Sequence, residues 1–309
     1  MGILRVKLDM KPTDPTVAAI VRAQTGVAWS RARELCEQGR VSVNGECCID
    51  PAMRIPADAT VSVDLHAPKR AQGALPAATI VFLDRDLVVV DKPAGMLSVA
   101  DENEGRDSLD LHLRTLLRRQ GAGDAKLGVV HRLDRDTSGV MVFARSPLAQ
   151  RALAAQFRAH DAERTYVAIA HGDVGAARID THLVPDRGDG LRGSHGRYRH
   201  AASPPPAIAR QAITHVRPLE ALAGATLVEC RLETGRQHQI RIHLAEAGHP
   251  LVGENVYIRD FKGQRIAAPR AMLHAATLGF VHPRKGETMR FERLPPADFA
   301  ALLDGLRSR

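Results

Sequence analysis

Apolar residues recur along this chain with two spacings, and the change between them divides it. Near the amino terminus, Asp14-Pro15 is an acidic cap followed by proline at the first helical position. Val17, Ile20 and Val21 follow at helical intervals, and Gly26 closes the segment. Ser30 predicts the cap of a second short helix, Arg31 to Gln38, stopped by Gly39. Val41 and Val43 then alternate with polar residues up to Asn44-Gly45, a strong hairpin signal, and a return strand runs through Ile49. A last alternation, Val61 to Leu65, ends this first unit, residues 1–65. Residues 66–78 hold Pro, Gly and Ala without a period and read as a linker to a larger domain, 79–309.

From Ile80 onward short apolar strands interleave with helices. Strands are expected at 80–83, 87–90, 127–130, 140–144, 166–170 and 226–232. Asp107 to Arg119 places Leu109, Leu113, Leu116 and Leu117 on one side of a helix, and Ser146-Pro147 opens another that runs to about His160. A further helix carries Ile240, Arg241 and Leu244 before the stop at Gly248-His249-Pro250. With no regular βαβ repeat, the class is α+β or mixed α/β. Residues 185–206, rich in Gly, Ser, Pro and Arg, read as a long mobile loop.

Charge narrows the partner. Among 309 residues, 43 Lys and Arg stand against 35 Asp and Glu, a net +8 with histidine neutral, which favours an anionic partner such as nucleic acid. Residues 1–70 hold 10 basic and 8 acidic side chains, so most of the excess belongs to the larger unit. Aromatic residues make up only 4%, with 1 Trp, 3 Tyr and 7 Phe, which excludes a broad base-stacking platform. No apolar run approaches the ~20 residues of a membrane span, and the first residues lack a signal-peptide core. Cys36, Cys47, Cys48 and Cys230 form no Cys-x-x-Cys pair, so the expectation is a reduced, cytoplasmic chain without structural zinc or a disulfide framework.

The densest polar cluster is His131-Arg132-Leu133-Asp134-Arg135-Asp136-Thr137-Ser138-Gly139, set between two apolar strands where a loop displays reactive groups. Two arginines beside two carboxylates can hold an ionised Asp as nucleophile or base. On these letters alone a salt-bridged turn, a metal-holding Asp-x-Asp and a Ser–His pair all stay open. The Gly-x-Ser-x-Gly elbow of hydrolases is absent, and no further Asp/His cluster has ligand spacing.

The order of the letters goes further. This nine-residue stretch resembles the signature of the RluA-type pseudouridine synthases. Two more blocks fall in that family's order: Arg164-Thr165-Tyr166-Val167-Ala168, with Arg164 where Lys is more usual, and Gly235-Arg236-Gln237-His238-Gln239-Ile240-Arg241. Lesser matches are Asp91-Lys92-Pro93-Ala94-Gly95-Met96 and Leu273-His274-Ala275 through His282-Pro283, so the likeness spans about residues 80 to 300. Gly253-Glu254 departs from the usual Gly-Asp; the change is expected to touch a structural turn and leave the chemistry alone. The loop at 185–206 is a second departure. Ser30-Arg31, Leu35, Gly39-Arg40-Val41 and Val43-Asn44-Gly45 resemble the S-four-type (alpha-L) RNA-binding domain.

The resemblance implies the pseudouridine synthase fold, a mixed and largely antiparallel sheet flanked by helices, behind a small helix–helix–hairpin module. It makes Asp134, and not Asp136, the catalytic aspartate. Tyr166 would stack on the uracil and take part in removing its carbon-5 proton, and Arg241 would pair with Asp134 and keep it ionised. Arg132 would enter the space left by a flipped base; Arg135, Arg236, Arg31 and Arg40 would contact RNA. His238 and His243 would be structural or face RNA. No cofactor or metal is implied, whether the aspartate attacks the sugar directly or assists a glycal-like intermediate. The expected partner is RNA, large-subunit ribosomal RNA first and transfer RNA second, bound by a monomer away from any membrane. The competing readings are a non-catalytic RNA-binding or ribosome-assembly factor and a metal-dependent phosphoryl hydrolase using Asp134 and Asp136.

Overall fold

The computed structural model describes residues 15–37, 40–48, 51–56, 58–64, 75–100, 108–122, 126–196 and 204–308. Asp14, Gln38, Gly39, Ile49, Leu65 and most of the expected linker lie outside them. The chain divides into two compact units, Met1–Ala74 with Asp101–Arg106 and Leu75–Ala100 with Asp107–Arg309.

In the smaller unit, α1 (Val17–Thr25) is capped by Thr16, whose Oγ1 accepts the Ala19 N–H at 3.2 Å. The cap expected two residues earlier is thereby corrected: Pro15 precedes the cap instead of opening the helix. Gly26 ends α1 in the left-handed region at φ 71°, as its sequence position predicts. α2 (Trp29–Glu37) starts one residue before Ser30, so Ser30 sits in the first turn and is not the cap. Val41 and Val43 form β1 (Val41–Val43), which turns through Asn44 and Gly45, both at positive φ, into β2 (Glu46–Cys47). With β3 (Val61–Val63) they make an antiparallel sheet in the order β2-β1-β3. Val17, Val21, Ala32, Leu35, Val41 and Ile55 close a core of its own beneath the two helices.

The larger unit is built on one broad sheet. Its strands are β4 (Ile80–Leu83), β5 (Leu87–Lys92), β6 (Gly128–Val129), β7 (Ser138–Ala144), β8 (Glu163–His171), β9 (Ala177–Val184), β10 (Gly193–Ser194), β11 (Arg210–Leu222), β12 (Ala225–Leu232), β13 (Leu273–Val281) and β14 (Thr288–Glu292). The main path runs β10-β9-β11-β12-β8-β13-β7-β5-β4, with β14 on β13 and β6 on β7. Every pairing is antiparallel except β13 with β7. α3 (Leu109–Arg119), α4 (Pro147–Ala159), α5 (Gln239–Glu246) and α6 (Ala297–Arg307) complete the unit.

The unbroken apolar run of β5 follows from burial on both faces. Val88 and Val90 pack with Leu109, Leu113 and Leu117 of α3, while Leu87 and Val89 pack with Ala149, Leu153 and Phe157 of α4. β9, β11 and β13 carry no clean apolar period, and sequence pattern does not mark them. By contrast α6, with Phe299, Leu302, Leu303 and Leu306 at helical spacing, and β14, with Met289 and Phe291 alternating with polar residues, do carry one. β9 shows mostly exposed or half-exposed side chains, including Arg178 and Asp180, and is a strand because β11 pairs along it.

The long loop expected at 185–206 is corrected over its first half. β10 pairs back on β9, and the Asp186 carboxylate accepts the N–H groups of Gly188 and Gly190 at 2.7 and 3.0 Å. Arg187 is only 5% exposed; it donates to Glu246 at 3.1 Å and to Asp189 at 3.2 Å. Local polar side chains and a buried ion pair thus order a segment whose composition resembles that of a loop. Residues 197–203 lie outside the described residues.

Candidate active site

The polar cluster forms the link between β6 and β7, and it is tied down at nearly every residue. Asp134 opens a turn closed by the Thr137 N–H on its carbonyl at 3.1 Å. Ser98 exchanges two hydrogen bonds with Leu133, donating to its carbonyl at 2.7 Å and accepting its N–H at 3.0 Å. Lys92, fully buried at the end of β5, donates to the carbonyls of Pro93, Arg135 and Thr137 at 3.0, 2.8 and 2.8 Å. Burial pushes the Lys92 ammonium down to about 7, against the pull of Asp136 and Asp134. Arg270 donates to the Asp136 carbonyl at 2.9 Å while forming a two-pronged pair with Asp298 of α6 at 2.7 and 3.1 Å. Gly139 then enters the parallel joint with β13 at φ 117°, where a Cβ would lie 2.2 Å from the Ala275 carbonyl oxygen, so the residue must be glycine.

His131, the first residue of the cluster, lines the same cavity as Asp134, but its contacts are with Phe157 and Val142. Its ring stacks on Phe157 at 4.4 Å, and its Nε2 accepts the Val142 N–H at 3.0 Å. Burial holds its pKa down to about 3, so it is a neutral packing residue. Asp136 is exposed and absent from the cavity wall that Asp134 lines, so the two carboxylates do not share a site. Among the described residues no group of His, Cys, Asp and Glu side chains is placed to hold a metal ion.

Tyr166 lies on β8 between Cys230 of β12 and Ala275 of β13, 8% exposed. Burial pushes its phenol up to about 12, with Arg164 pulling it down and Asp134 pushing it further up. Arg164 shares its face of the strand, two residues earlier.

The third block shapes α5 from its first residue. The buried Gln239 side chain uses all its groups: its oxygen accepts from Thr234 Oγ1 at 2.8 Å and from the Arg236 N–H at 3.0 Å, and its nitrogen donates to Ile213 and Thr214 at 3.0 Å. His238 caps the helix in the left-handed region at φ 59°. Its Nδ1 lies 2.8 Å from the Tyr257 hydroxyl and its Nε2 3.9 Å from Asp134 Oδ1. His243 differs: 1% exposed, it bridges Thr181 and Thr214 and is structural.

Arg241 is within ion-pair reach of Asp134, Nη1 to Oδ2 at 3.8 Å, but its hydrogen bonds go elsewhere. Nε and Nη2 donate to the two oxygens of Glu254, both at 2.7 Å, and the guanidinium lies over the Tyr257 ring at 5.4 Å. The Glu254 side chain is fully buried, and its Oε1 also accepts the N–H groups of Asn255, Val256 and Tyr257. Glu254 therefore does hold a turn, as its sequence position predicts. It also does more than hold that turn, because its carboxylate fixes the Arg241 guanidinium. Burial alone would raise its pKa, but the Arg241 guanidinium holds it below the usual range. Lys92 and Glu254 are the positioning residues that pattern reasoning passed over. The signal was a lone Lys closing an apolar strand and a carboxylate following a glycine.

Asp134, Tyr166, His238 and Arg241 line one cavity of about 540 Å³, together with Arg132, Arg158, Arg164 and Arg236. Among the described residues none of these last four arginines has a carboxylate partner, whereas Arg241 has two. Arg135 supplies its carbonyl to Lys92 and is not part of the cavity wall. In the smaller unit Arg31 pairs with Glu34 at 2.6 Å on the exposed face of α2, and Arg40 is half-buried, its carbonyl accepting the Asp64 N–H at 2.9 Å.

Residues 86–246 match the RNA pseudouridylate synthase family and residues 19–61 match the S4 domain. The ribosomal large subunit pseudouridine synthase D of Zymomonas mobilis is 36% identical over 303 residues, covering 94% of this chain and 92% of the relative. An uncharacterized RNA pseudouridine synthase of Bacillus subtilis is 34% identical over 301 residues, 92% of each chain. The solved structure of human RNA pseudouridylate synthase domain containing 4 shares the fold, with a TM-score of 0.60 and 23% identity over 74% of this chain and 92% of that one.

Proposed function

The chain belongs to the RNA pseudouridylate synthase family, and from that membership we propose that it isomerises uridines of large-subunit ribosomal RNA through Asp134. The observation that carries the reading is convergence: Asp134, Tyr166 and Arg241, from three separate blocks of sequence, line one cavity whose other arginines lack carboxylate partners among the described residues. The reaction breaks the bond between ribose C1′ and uracil N1, turns the base, and joins C1′ to C5. The proton at C5 leaves and N1 gains one, so nothing is added or lost overall, and no electron acceptor is needed.

In this reading the Asp134 carboxylate acts at the sugar, either at C1′ itself or by taking a ribose proton toward a glycal. Arg241, held by Glu254, sets the field beside it. Tyr166 stacks on the freed uracil and takes part in moving the C5 proton. Entry costs a few kcal/mol of unstacking when the target lies in a stem. Arg132, exposed beside Asp134, fills the vacated space, stacking and bonding phosphate with one planar group. Arg236, Arg31, Arg40 and Arg135 add RNA contacts, and the S4 domain adds affinity. The protein works in the cytoplasm as a monomer.

The test uses unmodified large-subunit ribosomal RNA transcript and a count of pseudouridine by mass spectrometry. Wild type forms pseudouridine at discrete positions. Asp134→Asn forms none above background and binds the transcript within about threefold of wild type, the loss expected when a carboxylate acts on the reacting bond. Full activity in that variant removes Asp134 from the chemistry, and transfer RNA as the sole productive substrate moves the assignment to that class.

A further inference from the structure

Arg164 is the least explained charge at the cavity. It is 7% exposed, yet only its Nη2 has a protein acceptor, the Glu233 carbonyl at 2.8 Å; its Nε is buried without a partner. No carboxylate among the described residues is within ion-pair reach. A buried cation with spare donors and no counter-charge is costly, so structures keep one where an anion arrives. Burial lowers its pKa, but a guanidinium stays charged at any physiological pH.

The surroundings hold that charge facing the cavity. The guanidinium carbon lies 5.8 Å from the centre of the Phe157 ring. Nη1 lies against Gly235, where a Cβ would come within 2.3 Å, so the glycine keeps the guanidinium in place. The next residue, Arg236, spends Nε on the Gln211 carbonyl at 2.9 Å, and its side chain makes no other hydrogen bond among the described residues. The negative end of the α4 dipole does not account for Arg164, because Arg158 already sits in that last turn.

We propose that Arg164 and Arg236 form a phosphate subsite that takes a backbone phosphate of the substrate strand next to the target nucleotide. It rests on the RNA-modifying reading above. Arg164 stands two residues before Tyr166 on the same face of β8, about 7 Å along the strand, so the subsite adjoins the base position without sharing it. Two cations with no carboxylate match an anion better than a neutral uracil carbonyl. Arginine in place of the lysine more usual here offers a planar fork to two non-bridging oxygens.

The test compares wild type with Arg164→Met and Arg164→Lys on the same ribosomal RNA transcript, at several salt concentrations. Arg164→Met should raise KM roughly tenfold, leave kcat within twofold, and reduce the slope of log binding constant against log salt by about 0.7 to 0.9, one phosphate's share. Arg164→Lys should retain the slope and raise KM about threefold, because it keeps the charge and loses the fork. It also serves if the methionine variant fails to fold. A fall in kcat at unchanged KM would place Arg164 in the chemistry and overturn the subsite, as would an unchanged KM and slope. If wild type itself makes no pseudouridine, the functional reading fails; if wild type is active and the slopes are equal, only the subsite fails.

Discussion

Arg241 and Arg132 line the same cavity, and their surroundings could hardly differ more. Arg241 is held before any substrate arrives: Nε and Nη2 donate to the buried Glu254 carboxylate, and its face lies over Tyr257. Arg132 is exposed and makes no ion pair to any described residue. The same contrast extends to the backbone. The turn carrying Asp134 is fixed by Lys92, Ser98 and Arg270, while Arg132, Arg158, Arg164 and Arg236 of the cavity wall have no carboxylate partner among the described residues. A field at the reacting bond is effective when it needs no reorganisation during the reaction. Contacts to a polyanion need charge more than geometry, since each contributes by releasing counterions.

The largest test of that contrast is Lys92→Met. It removes the shared donor of three carbonyls and leaves them unsatisfied in the interior, a loss of about 3 kcal/mol. A thermal melt should fall by roughly 10 °C, and kcat by ~100-fold from a displaced Asp134. A variant that melts early but keeps its kcat would show that the turn holds its geometry without the clamp. Glu254→Gln comes next. It keeps the shape and removes the charge that holds Arg241, so kcat should drop about tenfold with KM nearly constant. Equal losses in RNA affinity would move Arg241 from the fixed set into the RNA-binding set. Arg132→Ala is the mildest: KM should rise about fivefold at moderate salt, with the salt slope smaller by about 0.7 to 0.9 and no change in melting temperature. If it melts several degrees lower, Arg132 is part of the scaffold after all.

Much of the fold was legible because its signals are local. The β5 run, the α4 cap at Ser146 and the hairpin at Asn44-Gly45 each need only a few neighbours to be recognised. Elsewhere the deciding partner is distant. β9 is a strand because β11 runs beside it, and Arg187 orders its loop because Glu246 is within 3.1 Å. Thr16 and not Asp14 caps α1, and candidates two residues apart are not separated by propensity. At the site, the three blocks named Asp134, Tyr166 and Arg241, but not what each one leans on. Glu254 was set aside as a turn residue because its reach to Arg241 crosses thirteen positions of chain.

The sequence by itself determined which residues could carry chemistry, the excess of positive charge, and the succession of a small helix–hairpin unit and a strand-rich one. These depend on side-chain type and on spacing within a few residues, which the chain holds folded or not. Only the tertiary structure decided which charges are committed and which are free. Whether Arg241 or Arg164 has a carboxylate partner depends on atoms brought within ~4 Å by the packing of distant segments. A cation's role follows from that neighbour and not from its letter.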